Sequence, residues 1–472
     1  MSESKYPMNV EPSQLKGLKI KELAEMGEGW SLEPVPWHKR RHWLEISIVL
    51  WGYLLTLSGP VMGSQLLIQV GSWGKFLTVL LVAFAIMFIT TFFHGVVGTK
   101  TGLNTTVLSR VALGHRGSYL YSIIVTGVTL VWFGTHVEIF TALILNYVPF
   151  LEPYRFLFCI IVGGLMTFVA VLGYKGLAYL AYVAVPLVFI FLVWVCVISG
   201  GWNPPTELIS KMLSQSGWHA IGLGTAISMA CGYIWQGAPD LCRFNRNTKE
   251  AGISVFNLYI IAIVFAFSVG ALAVAGTKNP DVLWAIAIGL GLGAIILIPA
   301  MLLEWTTNDV NLYMIGLALN NMFGFKDYRI LIVIGGAIGT FLGVLGIIHN
   351  LLSITLLISI SVPPLMALTV TDYWVVGRKD LKKMFEYTEI PVNIHGIISW
   401  VIGFTVGYYT PGIIPAIIPS FIATGLVYYI LMKAHGIKYY DNIVAERNIT
   451  IRNSDWKEYI DQTQVWKSKG WI

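Results

Sequence analysis

The sequence predicts an all-α, polytopic membrane protein. Of its 472 residues, 56% are hydrophobic and only 12% are charged, whereas soluble domains carry roughly 25% charged residues. The mean hydropathy of +0.70 is typical of a chain that lies mostly in lipid. The charged residues are concentrated between apolar runs of membrane-spanning length, about 20 residues each. A soluble chain of this length would instead form several cores with charged faces between them.

Twelve apolar runs follow one another along the chain, and each predicts a membrane-spanning helix. They lie near residues 43–68, 74–97, 119–146, 156–173, 177–200, 219–238, 251–276, 283–318, 329–348, 350–376, 395–413 and 414–434. The eighth run is long enough for a tilted or broken helix. The runs divide the chain into an N-terminal tail (1–42), two groups of five helices (43–200 and 219–376), two additional helices (395–434) and a C-terminal tail (435–472).

Lys and Arg are distributed unequally between the two alternating sets of loops. Most of them, including Arg110, Arg243 and Lys383, fall in one set, and the cluster Lys39-Arg40-Arg41 precedes the first span on the same side. By the positive-inside rule, this set and both termini lie in the cytoplasm of a protein of the plasma membrane. The net charge of +6 therefore reflects topology and attraction to the lipid surface. The sequence shows no basic stripe of the kind that would indicate binding to nucleic acid.

Two spans contain residues that interrupt a helix. The first contains Ser58-Gly59-Pro60, and the sixth contains Gly232 and Gly237-Ala238-Pro239. Proline removes a backbone donor, and glycine tolerates the resulting geometry. A break persists in lipid only where the freed backbone groups line a cavity. Ordinary proline kinks are also common, but two breaks at matching positions in two groups of five helices indicate an inverted-repeat transporter.

The most polar stretch within a predicted span is Glu304-Trp305-Thr306-Thr307-Asn308-Asp309. Hydrocarbon cannot satisfy these groups, so they require one another, an ion or a polar ligand. A lone threonine in a membrane helix usually bonds the carbonyl of its own preceding turn. Two adjacent threonines near the end of a span also suit a dehydrated Na⁺, whose shell free carbonyls from an unwound first span would complete.

The third span carries Trp132 and His136, which share one helix face at i, i+4. An aromatic plane beside a polar ring can hold a flat heterocycle by stacking and one directional hydrogen bond. Considered alone, the pair is more simply an interfacial tryptophan and a core histidine. Glu138 falls on another face and is either structural or a candidate for proton coupling. At the end of the sixth span, Asp240 and Arg243 are expected to form an i, i+3 pair.

Enzyme functions find no support in the motifs. The sequence contains no G-x-x-x-x-G-K-[ST], H-E-x-x-H or G-x-S-x-G pattern, and its four cysteines have no metal-binding spacing. We therefore expect no catalytic residues, no cofactor other than a coupling ion, and no metal except Na⁺ at the cation site. The expected partners are a small heterocycle and the lipid bilayer, with no obligatory protein partner.

Several motifs, taken in order, resemble the nucleobase–cation symporter family one, in its purine and cytosine permease branch. They are Lys100-Thr-Gly-Leu-Asn104 with Arg110, Trp132-Phe-Gly134, Asp240-x-x-Arg243-Phe244, Trp305-Thr-Thr-Asn-Asp309 with Tyr313, and Pro363-Pro364 with Asp372-Tyr-Trp374. The resemblance covers about Trp43 to Met432. It implies a leucine-transporter-like fold of two inverted five-helix repeats plus two extra helices. It also implies import of nucleobases or related heterocycles with Na⁺ or H⁺.

The resemblance also implies roles for individual residues. The cation would bind the backbone oxygens of Gly52, Leu55 and Leu303 and the hydroxyls of Thr306 and Thr307. The substrate would stack on Trp132, face position 136 and bond to Asn308. Three positions depart from the family pattern. Cys231 stands where an aromatic residue commonly covers the other side of the ring, so Tyr233 is a candidate substitute; His136 replaces a small residue or glutamine, and Glu304 is an additional acid.

The sequence thus predicts Na⁺-coupled import of a cytosine-like, purine, hydantoin or allantoin-class compound by alternating access. The alternatives are proton coupling through Glu138, Glu304 or His136, and a non-transporting membrane receptor. A channel is less consistent with the sequence, because the polar residues converge instead of forming a continuous stripe.

Overall fold

The computed structural model describes residues 30–171, 174–200, 234–325, 327–377, 380–411, 414–449 and 454–468. These residues fold almost entirely into helices. The helices are α1 (Trp43–Leu54), α2 (Ser58–Val70), α3 (Trp73–Thr101), α4 (Thr105–Leu113), α5 (Ser118–Tyr147), α6 (Arg155–Ala170), α7 (Tyr174–Ile198), α8 (Ile234–Cys242), α9 (Thr248–Thr277), α10 (Leu297–Phe323), α11 (Arg329–Val344), α12 (Leu351–Thr371), α13 (Leu381–Tyr387), α14 (Ile394–Tyr409), α15 (Ile417–Glu446) and α16 (Ser454–Ser468).

The helix boundaries follow local sequence signals. The Ser72 side chain caps α3 by accepting the Lys75 amide, and Gly102 ends that helix at φ 74°. The Asn104 side chain then caps α4 through the Val107 amide. These are the expected ways to satisfy the free amides of a helix start and to end a helix without strain.

Long apolar helices dominate the fold. Within the described ranges, seven helices are long and apolar enough to cross a membrane, or eight if the bent pair α1–α2 counts as one span. Two shorter apolar helices, α11 and α14, lie among them. The predicted eighth run is divided: a helical turn at Val282–Trp284, a π-helical segment at Ala285–Gly289 and a 3-10 segment at Gly293–Ile296 precede α10. Most of the predicted sixth run lies outside the described residues.

Helix α10 forms the centre of the molecule. It packs against α1, α5, α6, α7 and α11, and its residues from Leu303 to Ala318 are buried apart from the half-buried Trp305. This helix carries the polar stretch predicted from the sequence. The polar groups are therefore enclosed by protein and do not face lipid, which is the placement that hydrocarbon requires of them.

Helices α2 and α9 approach each other at two glycines. A Cβ atom at Gly63 would lie 2.0 Å from the carbonyl oxygen of Phe267, and one at Gly270 would lie 1.9 Å from that of Pro60. Any larger residue would separate the backbones. Small residues at such crossings allow close packing between membrane helices.

Both ends of the described chain meet on one face of the bundle, the terminal face. Residues 30–42, here named the terminal strap, bury Trp30, Val35 and Trp37. The buried Arg40 guanidinium donates to the carbonyl oxygens of Thr99 (2.8 Å) and Asn245 (3.0 Å). These parts of the predicted N-terminal tail are therefore packed against the bundle.

Helix α16 covers the terminal strap. Its Tyr459 hydroxyl accepts a hydrogen bond from Arg40 at 3.1 Å, and Thr463 accepts one from the Trp37 indole at 2.9 Å. Part of the predicted C-terminal tail is thus a packed helix. The clasp between strap and helix joins residues 426 positions apart in sequence.

The sequence predicted a side-chain pair between Asp240 and Arg243, and this prediction is wrong because both side chains bond other groups. The Asp240 carboxylate accepts the Thr105 amide at 2.7 Å and caps α4. Arg243 donates to the backbone carbonyl of Asp240, to the Trp30 carbonyl and to the Tyr313 hydroxyl. Buried amide and carbonyl groups compete for both side chains, and the sequence spacing alone does not show them.

Candidate substrate and cation site

The first span is broken where the sequence predicts it. Helix α1 ends at Leu54, Leu55 caps it with ψ 87°, and α2 begins at Ser58. The two helices meet at an angle of 62°. In the sixth span, Gly237 departs from helical geometry (φ −110°, ψ 15°) two residues before Pro239. Gly232 lies outside the described residues.

A buried carboxyl group holds the break in place. Glu304 on α10 accepts the Leu57 amide at 2.6 Å and the Thr56 hydroxyl at 2.8 Å through Oε1. Its Oε2 lies 2.6 Å from Nδ1 of His136 on α5. The same Nδ1 lies 3.0 Å from the Thr56 hydroxyl. One side chain therefore links three elements: the broken span, α5 and α10.

Sequence reasoning identified Glu304 and His136 separately but did not predict their contact. Thr56 was missed altogether. Its position was an available signal, because Thr56 is a hydroxyl residue that comes shortly before the helix-breaking residues Ser58-Gly59-Pro60. Side chains of this kind satisfy freed backbone groups where a membrane helix is interrupted.

Trp132 and His136 are stacked on α5 with ring centroids 5.8 Å apart and planes inclined by 25°. Both line a small cavity of ≈ 10 Å³, about the space that one water molecule occupies. A ring would therefore enter it only after the surrounding elements move apart. Among the described residues, the lining consists of Tyr53, Leu54, Thr56, Ser58, Gly59, Trp132, His136, Ile263, Phe267 and Thr307. The cavity thus combines aromatic faces with hydroxyl, imidazole and broken-backbone groups.

The residues expected to bind a cation lie where α1 meets α10. The Thr307 hydroxyl is 3.4 Å from the Gly52 carbonyl and 3.0 Å from that of Leu303. The Thr306 hydroxyl is also 3.0 Å from the Leu303 carbonyl. Leu55 lies three residues after Gly52 at the end of α1. In this conformation both hydroxyls donate to carbonyls of their own helix, which is the common local arrangement of threonine.

Asn308 and Glu138 are engaged with the protein. The Asn308 amide donates to the Phe133 carbonyl (3.3 Å), and its oxygen accepts from Asn311 (3.0 Å). Glu138 accepts the Ile348 amide at 3.0 Å, just before α12. Cys231 and Tyr233 lie outside the described residues.

Asp309 is fully buried on α10. Within the part of the chain that the structure describes, neither of its carboxyl oxygens has a hydrogen-bond partner. An ionised carboxyl in such a place is costly unless a cation accompanies it. The sequence singled out this residue as part of a motif without indicating its isolation.

A multi-pass helical bundle whose first span breaks beside an aromatic and polar cavity has the features of a secondary transporter. The described residues contain no cluster suited to a metal centre. Residues 34–431 match the sequence profile of the permeases for cytosine/purines, uracil, thiamine and allantoin. The chain belongs to this family, the nucleobase–cation symporter family one, and is not an enzyme.

The chain is similar to known proteins in sequence and in fold. The chain is 29% identical to the cytosine permease of Escherichia coli (strain K12) over 394 residues, which cover 79% of this chain and 87% of that protein. Its fold is similar to a nucleobase-cation-symport-1 family transporter in a closed conformation with bromovinylhydantoin bound (TM-score 0.74, 16% identity, 92% of this chain and 99% of the other). It is also similar to a Na⁺-coupled sialic acid symporter (TM-score 0.62, 11% identity, 88% and 95%). The fold is thus leucine-transporter-like, as the sequence predicted.

Proposed function

We propose that this protein imports a planar, nucleobase-like heterocycle by cation symport through alternating access. The observation that carries the proposal is the cavity at the broken first span, where Trp132 and His136 face the same space as Thr307. The substrate ring would stack on Trp132 and form a directional hydrogen bond with His136. Asn308 would bind the substrate only after breaking its present hydrogen bonds to Phe133 and Asn311.

The other side of the ring would be covered by the sixth span. Tyr233 is our candidate for this contact, with Cys231 as the smaller neighbour. Thermal-shift measurements on purines, pyrimidines, hydantoins, allantoin and vitamin-like heterocycles would identify the substrate. A ligand at a hundred times its dissociation constant stabilises a protein by about 2.7 kcal/mol. Stabilisation by no compound of these classes would argue against the proposal.

We infer that Na⁺ is the first candidate for the coupling ion. It would bind the backbone oxygens of Gly52, Leu55 and Leu303 and the hydroxyls of Thr306 and Thr307. This position joins the end of α1 to α10, so the ion would favour one arrangement of the broken span against the rest of the bundle. Inward movement of one charge across 100 mV supplies about 2.3 kcal/mol.

Alanine at both Thr306 and Thr307 tests this site. Na⁺-stimulated uptake into proteoliposomes should be lost, because two of the five oxygen ligands are removed. The matched control is Thr129→Ala on α5, which removes a buried hydroxyl with the same bond to the preceding turn (2.7 Å to the Val125 carbonyl). Unchanged Na⁺ dependence in the double variant would reject the assignment.

Proton coupling is the second candidate, and the 2.6 Å contact between His136 and Glu304 favours it. A proton shared by two buried groups that also touch the broken span could bias its conformation. Glu138 is a less direct candidate, since it bonds the backbone before α12. Uptake with Na⁺ replaced by choline distinguishes the two ions: persistence with a dependence on the pH gradient favours protons, and loss favours Na⁺.

The finer architecture is also a proposal. We place twelve spans in two inverted groups of five (43–200 and 219–376) followed by two additional helices (395–434), with both termini in the cytoplasm of a plasma-membrane protein. The unequal distribution of Lys and Arg between the two alternating sets of loops supports this orientation. Labelling of single cysteines introduced into α16 from either side of sealed vesicles would test it. Reaction with a reagent added outside cells would show that the orientation is the reverse of the one proposed.

A further inference from the structure

The start of α2 is the point in the broken span where an anion would normally bind. A helix N-terminus has free amide donors and the positive end of the helix dipole. Half-helices in transporters use such ends to hold anionic substrate groups. Whether this end can accept a ligand depends on the present partners of its amides.

Every donor at this end is accounted for. The Leu57 amide donates to Glu304 Oε1 at 2.6 Å. The Ser58 amide lies 3.4 Å from the Thr56 hydroxyl oxygen, and the Gly59 amide donates to the Thr56 carbonyl at 3.1 Å. Pro60 has no amide hydrogen. The anion position at α2 is therefore filled by the protein itself.

The group that fills it is held from several sides. Glu304 is completely buried, and its carboxyl also accepts the Thr56 hydroxyl and meets His136 Nδ1. Thr56 and His136 both line the candidate cavity. A substrate in that cavity would therefore lie next to the groups that hold the Glu304 carboxyl, on the side of the break.

We propose that Glu304 determines substrate charge: the site accepts uncharged or cationic heterocycles and rejects rings that carry a carboxylate. This inference rests on the proposed function and adds the class of substrate. A second carboxylate would find no free amide at α2 and would be repelled by the first, in surroundings where like charges are poorly screened.

Matched pairs of rings with and without a carboxylate test the proposal. Suitable pairs are uracil and orotate, cytosine and cytosine-5-carboxylate, and hydantoin and hydantoin-5-acetate. Dissociation constants of the purified, full-length protein would be measured by thermal shift and by competition for uptake. We expect the acid of any pair that binds to be at least about a hundredfold weaker than the neutral ring. Glu304→Gln should reduce this ratio at least about tenfold, because it removes the charge and retains the shape.

The matched control is Asp240→Asn, which removes a buried carboxylate from the start of α4, outside the lining of the cavity. In this variant, the ratio of the dissociation constants of the acid and the neutral ring should equal that of the wild type. If Glu304→Gln does not fold, Glu304→Asp replaces it, since the shorter side chain withdraws from the Leu57 amide and should also lower the ratio.

The outcomes separate this inference from the proposed function. Equal binding of acid and neutral ring by the wild type overturns the inference and leaves heterocycle transport intact. An unchanged ratio in a folded Glu304 variant also overturns it. Binding of no ring in any pair, in a protein that folds, overturns the proposed function and this inference with it.

Discussion

Alanine at Gly270 should separate α2 from α9. The added Cβ would lie 1.9 Å from the Pro60 carbonyl oxygen, whereas ordinary contacts begin at 3.4 Å, so the backbones must move apart by about 1.5 Å. Overpacking of this kind costs about 1–3 kcal/mol, and both helices are constrained by the rest of the bundle. Alanine is favoured over glycine inside a helix by about 1 kcal/mol. The 1.9 Å approach places the overpacking cost at the upper end of this range, so we expect a net loss of about 2 kcal/mol in the free energy of unfolding.

The measurement is unfolding of the purified protein in mixed detergent micelles, followed by intrinsic fluorescence. Gly127→Ala on α5 and Gly164→Ala on α6 are the matched controls, because a Cβ at either position meets no atom within 4 Å. They should be neutral or slightly stabilising. A Gly270→Ala protein as stable as these controls would refute the steric argument.

Three further predictions concern the break, the terminal face and the loop between α4 and α5. Thr56→Val should lower the unfolding free energy by about 2 kcal/mol, because it removes one hydrogen bond to a carboxyl and one acceptor; Thr56→Ser should restore most of the loss in the same unfolding assay. Arg40→Lys should expose α16 to proteolysis, since lysine cannot reproduce the divergent guanidinium bonds; wild-type cleavage rates would contradict this. Burial, with the charges of Arg110 and Arg116, lowers the pKa of His115 to about 4. The unfolded chain therefore takes up this proton first, and stability should fall as the pH drops from about 6.5 to about 4. The fall in melting temperature should be smaller in His115→Asn, and an identical pH profile would exclude this contribution.

Composition and hydrophobic runs were sufficient to predict the membrane class, because lipid imposes long apolar helices whatever their packing. The break at Ser58-Gly59-Pro60 was also predictable, since proline and glycine act locally. The run 283–318 shows the limit of such reasoning. Its residues are apolar without interruption from 283 to 303. The positive φ values of Gly291 and Gly293 (68° and 67°) nevertheless turn the chain before α10 begins.

The candidate site was predictable in its residue types but not in its contacts. Trp132 and His136 share a face by helix periodicity, so their stacking follows from spacing. Glu304 and Thr56, in contrast, are 248 residues apart, and their bond depends on how α10 crosses the broken span. Arg243 illustrates the same point, because its side chain bonds Trp30 of the strap and Tyr313 of α10, and it meets Asp240 only at the backbone carbonyl.

The clasp between the terminal strap and α16 also affects how the molecule is made. Trp37 is synthesised 426 residues before its partner Thr463. At roughly 5–20 residues per second, the strap waits about 20–85 s for α16 to leave the ribosome. During that interval Trp37 lacks the cover that Tyr459 and Thr463 provide, so chains that stop short of α16 would expose it to chaperones and proteases. Burial of the terminal strap therefore depends on a helix that is made much later in synthesis.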